Sequence, residues 1–200
     1  MRRHDFPGKL IVVEGADGSG TTTQAERLTE RLGGVYTAEH GERRSEQSLI
    51  GRKVEQMISE QGYSPEAVAL GFAADRIVHL EEKLIQLLKD GKSVVCDRYY
   101  HSSLVYQPAM GADFEWVKEI NREAIVPDTT FILDVSAEVG MERLDQRGRD
   151  QNIFEEMSFQ QEVVERYRRL PESLDENIEL IDGTESKDEV EEAIKSKISD

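Results

Sequence analysis

Short apolar runs recur along the chain, each followed by a polar or glycine-bearing turn and then by a stretch with helical spacing. Residues 9–14, 35–37, 93–96, 130–135 and 178–181 are rich in β-branched side chains, which predicts five buried strands. Between them, apolar positions at helical spacing predict a helix over 21–32, stopped by Gly33-Gly34, and another over 49–60. Ser64 can cap a long helix with Pro65 in its first turn, running to Asp90 and closed by Gly91. One or two helices fall within 102–124, with further helices over 137–146 and over 158–170 before Pro171. The pattern Ser186-Lys187-Asp188-Glu189 is a capping box that opens the last helix. The stretch 147–152 reads as a loop.

Strands that are apolar almost throughout must be covered on both faces. Alternation with helices therefore predicts an α/β fold, a mostly parallel five-stranded sheet with helices on both sides. No internal repeat or proline/glycine-rich linker divides the chain, so one domain over 1–200 is expected. Such sheets bind ligands at the carboxyl ends of their strands. The residues to inspect are thus 15–22, Glu39, Asp97-Arg98, Ser136 and Asp182-Gly183.

Composition narrows the function classes. The 200 residues include 41 acidic and 25 basic side chains, for a net charge of −16. A nucleic-acid binder or a partner of anionic membranes needs a basic footprint, which this balance opposes. No apolar run reaches the roughly 18 residues of a spanning helix, and the N-terminus lacks the apolar core of a signal peptide. The single cysteine, Cys96, excludes an intramolecular disulfide and reads as a small buried residue at a strand end. A cytoplasmic enzyme is the expectation. The acidity is also what a saline cytoplasm would tolerate by screening.

The candidate chemistry is concentrated in a few segments. Gly15-Ala16-Asp17-Gly18-Ser19-Gly20-Thr21-Thr22-Thr23-Gln24 lies between a predicted strand and a predicted helix. Gly15 and Gly20 have the spacing of a P-loop, and Thr22 holds the hydroxyl position suited to Mg2+. Backbone N–H groups of such a loop, with the helix N-terminus behind them, cradle phosphate. Thr21, however, stands where the P-loop lysine belongs. A unit charge at about 4 Å and an effective dielectric of about 20 is worth roughly 4 kcal/mol, and a hydroxyl does not supply it. After the third strand, Asp97 can hold magnesium through water or accept a proton, and Arg98 offers a planar fork to a second phosphate. Phe72 and Arg76 are four apart on one helix face and form a candidate base-recognition pair, although an aromatic core residue beside a solvated arginine has the same pattern. Arg143, Arg147 and Arg149 are candidates for a mobile lid, about 143–154, that brings cations to transferring phosphates.

GADGSGTTTQ, FAADR, CDRYYHSSLVYQ and GMERLDQRGRD, in this order and at these separations, resemble the thymidylate kinases. The likeness runs from about Lys9 to the last helix. It implies a P-loop kinase fold with a five-stranded parallel sheet and a short lid. The implied reaction moves a phosphoryl group from Mg-ATP to dTMP, giving dTDP and ADP. By this resemblance Asp17 lies near the sugar 3′-hydroxyl, Phe72 stacks on thymine, and Arg76 meets a base carbonyl. Arg98 binds the acceptor phosphate, Tyr106 packs on the deoxyribose, and Ser103 and Gln107 lie on the thymine side. Asp182-Gly183-Thr184 flanks adenine, and a homodimer forms through long helices that include 64–90. Two segments depart from the family pattern. Thr21 replaces the loop lysine, and residues 37–41 read Thr-Ala-Glu-His-Gly where a T-R-E-P-G-like segment is usual. Glu39 remains there as a candidate outer carboxylate for the metal, while Arg43 and Arg44 stand at another offset. Lid arginines share the lysine's task in some members, which points to Arg147 and Arg149. A kinase for another pyrimidine monophosphate, or a nucleotide-binding module with impaired catalysis, are the alternatives.

Overall fold

A computed structural model of the chain describes residues 1–39, 49–60, 62–145 and 153–198, with the side chains of 153–156 left aside. The strands are β1 (Leu10–Gly15), β2 (Val35–Ala38), β3 (Val94–Asp97), β4 (Thr129–Asp134) and β5 (Ile178–Asp182). They form one parallel sheet in the order β2-β3-β1-β4-β5. The expected five-stranded α/β sheet is therefore present.

The helices are α1 (Thr21–Leu32), α2 (Leu49–Glu60), α3 (Pro65–His79), α4 (Ile85–Lys89), α5 (Tyr100–Ala109), α6 (Phe114–Ile120), α7 (Ala137–Asp145), α8 (Ile153–Ser173) and α9 (Lys187–Lys197). Both faces of the sheet are covered, and the alternation within β1 shows how. Leu10 and Val12 enter a core with Leu84, Leu88, Leu104, Val163 and Tyr167. Ile11 and Val13 enter the opposite core with Ala25, Leu28, Val190 and Ile194. Each such buried side chain contributes about 1.5–3 kcal/mol, so the central strand is held from both sides.

Two helices differ from the sequence pattern. The expected helix over 64–90 is interrupted by a π-helical turn, Leu80–Leu84, where Ile85 N–H reaches back five residues to the Leu80 carbonyl. Its caps are as expected: Ser64 accepts from Ala67 N–H, with Pro65 in the first turn. Helix α8 continues through Pro171 to Ser173. A proline near a helix end forfeits one backbone bond without ending the turn, and Leu174 N–H still bonds the Leu170 carbonyl at 3.1 Å.

Strand β1 lies at the centre, and the order of connection reverses beside it. The loops leaving the carboxyl ends of β1, β3 and β4 therefore converge on one crevice. The register pairs Val13 with Asp97 and Gly15 with Leu133, which sets those loops side by side.

Candidate active site

The loop from Gly15 to Gly20 turns on two left-handed glycines. Gly18 has φ 81° and Gly20 has φ 98°, a region that favours glycine. Gly20 is also the N-cap of α1, and no side chain caps that helix. The first amides of α1 therefore face the loop's concavity, the arrangement that receives phosphate. The loop is braced from outside by Gly140 of α7. A Cβ on Gly18 would fall on the Gly140 carbonyl, and one on Gly140 would lie 2.6 Å from the Asp17 carbonyl oxygen. Thr21 is buried as the first residue of α1, and Ser19 is buried in the loop. Thr23 follows in the same turn of α1.

Thr22 and Asp97 meet between α1 and β3. The Thr22 hydroxyl donates to Asp97 Oδ2 at 2.6 Å, and Tyr36 donates to the same oxygen at 3.3 Å. A hydroxyl and a carboxylate are hard oxygen donors of the kind Mg2+ accepts. Among the described residues no three or more His, Cys, Asp or Glu cluster as a metal site.

Arg98 follows immediately and is held under strain. It is the one non-glycine among the described residues with a left-handed backbone, φ 64°. Its N–H bonds the Val13 carbonyl at 2.9 Å. The guanidinium donates to Asp17 Oδ1 at 2.9 Å, to Ser102 Oγ at 3.3 Å, to the Tyr106 hydroxyl at 3.4 Å and to the Tyr167 hydroxyl at 3.5 Å. It also lies over the Tyr106 ring, 5.6 Å from its centroid. Burial pushes the Tyr106 hydroxyl above the usual phenol range, against the opposing pull of Arg98. Burial and then the Glu14 carboxylate push up that of Tyr167. Both stay protonated. Asp17 is thereby tied to Arg98, and Gln160 of α8 donates to its other oxygen at 3.3 Å.

A second arginine organises a buried polar cluster. Arg76 donates through Nε to both oxygens of Glu39, at 2.9 and 2.7 Å, with the two side chains almost wholly excluded from solvent. It also bonds Asn121 Oδ1, and Ser103 Oγ at 3.1 Å. Burial raises Glu39 to about 7 in spite of the partner arginine. Glu39 thus meets Arg76 with both oxygens. Phe72, one turn before Arg76, packs on Val54 and Val68. Gln107 is buried on α5 with its Oε1 unpartnered among the described residues.

Arg143 donates from both terminal nitrogens to the Gly183 carbonyl at 3.1 Å, joining the end of α7 to the turn after β5. Asp182 closes that turn by accepting from Thr184 N–H at 2.9 Å. Arg147 and Arg149, with most of the expected lid, lie outside the described residues, as do Arg43 and Arg44.

Several residues at this site receive no role from the motifs: Glu14, Asn121, Gln160 and Tyr167, together with Ser102 and Gly140, which lie within the motifs themselves. Glu14 carried a signal, being the one charge inside the apolar run LIVVEG. Gln160 and Tyr167 lie on α8, far along the chain, and their spacing marks only a helix.

Comparison with known proteins agrees with this geometry. The family model for thymidylate kinase matches residues 13–194. A probable thymidylate kinase of Methanococcus aeolicus is 39% identical over 164 residues, 81% of this chain and 79% of that one. A probable thymidylate kinase of Methanocaldococcus jannaschii is 38% identical over 92% of this chain and 90% of its own. A thymidylate kinase of Staphylococcus haemolyticus is 38% identical over 90% of this chain and 92% of its own. With the family pattern matched across most of its length, the chain belongs to the thymidylate kinase family of ATP-dependent nucleoside monophosphate kinases.

Proposed function

We propose that the protein transfers the γ-phosphoryl group of Mg-ATP to dTMP, giving dTDP and ADP. The observation that carries this reading is the Asp17–Arg98 ion pair at 2.9 Å. It joins the loop built for the donor's phosphates to the arginine suited to the acceptor's phosphate. Two phosphate sites that share a salt bridge lie close enough for direct transfer, and transfer of this kind relies on positioning and electrostatics.

In this reading the amides of 15–23 hold the ATP phosphates, and Arg143, Asp182 and Gly183 shape the adenine side. Thr22 and Asp97 hold Mg2+, which would neutralise charge on the transferring group. Arg98 binds the dTMP phosphate, Tyr106 closes on the deoxyribose, and Asp17 faces the sugar. Phe72, Arg76, Ser103 and Gln107 form the base side. Glu39, offered by the sequence as an outer carboxylate for the metal, serves here to anchor Arg76. Arg147 and Arg149 supply the positive charge that Thr21 does not.

Leu70 and Ile77 stand one heptad apart on α3 and are partly exposed, which supports a homodimer through that helix. Among the described residues no helix is long and apolar enough to cross a membrane. With the net negative charge and one buried cysteine, this supports a cytoplasmic enzyme without nucleic-acid or membrane partners.

The test is ADP release with Mg-ATP and each of dTMP, dUMP, UMP and dCMP. A preference for dTMP supports the proposal, and a preference for UMP contradicts the role of Tyr106. Thr21 favours one other reading, a nucleotide-binding module with impaired catalysis. ATP binding without ADP release for any of the four would establish that reading instead.

A further inference from the structure

Glu14 is the next-to-last residue of the central strand, directly before the phosphate loop, and its carboxylate is completely buried. His101 Nδ1 lies 3.9 Å from Glu14 Oε1, and among the described residues no arginine or lysine forms an ion pair with it. Four donors converge on its two oxygens instead. Oε1 accepts from Tyr99 N–H at 2.6 Å and Ser102 N–H at 3.2 Å. Oε2 accepts from the Ser102 hydroxyl at 2.7 Å and the Tyr167 hydroxyl at 2.9 Å. Tyr99 is the N-cap of α5 and offers no side-chain cap of its own. Glu14 therefore caps α5 from the neighbouring strand, where the helix's positive end favours a carboxylate.

The two hydroxyls also touch each other, Ser102 Oγ lying 3.0 Å from the Tyr167 hydroxyl with either able to donate, while the Glu14 carboxylate accepts from both. Ser102 and Tyr167 are also acceptors for Arg98, at 3.3 and 3.5 Å. A hydroxyl that gives its hydrogen to Glu14 turns its lone pairs away from the carboxylate, toward the guanidinium. Arg98 is itself held in a left-handed backbone conformation, so its orientation needs external support.

We propose that Glu14 is the positioning residue that sets Arg98 for the acceptor phosphate, acting through the hydroxyls of Ser102 and Tyr167. The proposal rests on the reading of Arg98 as the acceptor-phosphate ligand. It adds a relay that begins in β1, crosses to α5 and α8, and ends at the substrate. Asp17 accepts from the other terminal nitrogen of the same guanidinium, and Gln160 steadies Asp17 through its second oxygen. The orientation of Arg98 is then fixed from both the donor loop and the buried carboxylate.

Glu14→Gln disrupts the relay by chemistry rather than shape. One amide orientation sets an NH2 against two hydroxyls, whose hydrogens must then turn toward the N–H groups of Arg98. The flipped orientation sets the NH2 against two backbone N–H groups. Tyr167→Phe and Ser102→Ala remove single relay members and leave the helix cap bonds of Tyr99 intact.

The experiment measures KM for dTMP and for ATP, kcat and the thermal midpoint in Glu14→Gln, Tyr167→Phe, Ser102→Ala and Ser102→Thr. The expected result is a dTMP KM raised about tenfold or more in the first three variants, with ATP KM within about twofold of wild type. Ser102→Thr, which keeps the hydroxyl, returns dTMP KM toward wild type. If Glu14→Gln fails to fold, the two single-hydroxyl variants decide. An unchanged dTMP KM in Tyr167→Phe and Ser102→Ala overturns the relay, as does an equal rise in both KM values. Those results leave the assigned activity standing, whereas wild-type protein without dTMP-dependent ADP release removes the activity and the relay together.

Discussion

The Thr22 hydroxyl lies 2.6 Å from Asp97 Oδ2, joining the first turn of α1 to the end of β3. The two residues are 75 positions apart, yet the parallel register of β1 and β3 leaves them adjacent. If they share a magnesium ion, Thr22→Ala raises the magnesium concentration for half-maximal rate about tenfold, and Asp97→Asn lowers kcat about a hundredfold or more. Magnesium titrations of the steady-state rate check both. A magnesium dependence equal to wild type in Thr22→Ala assigns the threonine to loop structure alone.

The contact between Gly140 and the phosphate loop gives a stability prediction. Gly140→Ala places a methyl group 2.6 Å from a backbone oxygen that has little room to yield. Overpacking of this sort costs about 1–3 kcal/mol, which lowers the thermal midpoint by several degrees in a chain of this size. The loop should also shift, so ATP KM rises while dTMP KM changes less. Thermal unfolding and the two KM values test this, and an unaltered midpoint with an unaltered ATP KM refutes the bracing.

The buried Glu39–Arg76 pair makes stability depend on pH. Burial raises the Glu39 carboxyl to about 7 in the folded protein from a starting value of 4.5. A raised carboxyl binds its proton more tightly in the native state. Its contribution is therefore complete below about 4.5 and is lost as pH rises through about 7, by at most about 3 kcal/mol. Glu39→Gln removes this slope. Urea unfolding at several pH values between 5 and 8 checks it: wild type should lose stability relative to the variant as pH rises. Parallel curves would show that Arg76 keeps Glu39 ionised throughout.

Much of this arrangement is legible in the sequence, for identifiable reasons. The strands announce themselves because a parallel sheet buries both faces, so β1, β3 and β4 are apolar nearly throughout. The glycine loop, Asp97 and Arg98 are legible as neighbours because they stand at the carboxyl ends of two adjacent parallel strands. Glu14, Tyr167 and Gln160 are not, since each works through a contact across the fold that no local spacing encodes. The π-helical turn at Leu80–Leu84 is hidden for a related reason: its apolar pattern is that of an ordinary helix. Glu39 is legible only as a carboxylate at a strand end, and its ion pair with Arg76 is a contact across the fold that no local spacing encodes.

The uncharged Thr21 makes the lid arginines testable by coupling. Arg147→Ala or Arg149→Ala should lower turnover at least about tenfold with the fold intact. In a Thr21→Lys background, where the loop regains its cation, the same substitutions should cost markedly less. Steady-state turnover of the single and double variants gives the coupling. Strictly additive losses would mean that the arginines do not substitute for the lysine.

A crevice that brings the ATP phosphates and the dTMP phosphate together transfers the γ-phosphoryl group directly between them. This is tested most directly by mixing the protein with γ-labelled ATP, magnesium and dTMP and separating the nucleotide products. The label should appear in dTDP, in step with ADP. Label that stays in ATP, or appears only as inorganic phosphate, would contradict direct transfer.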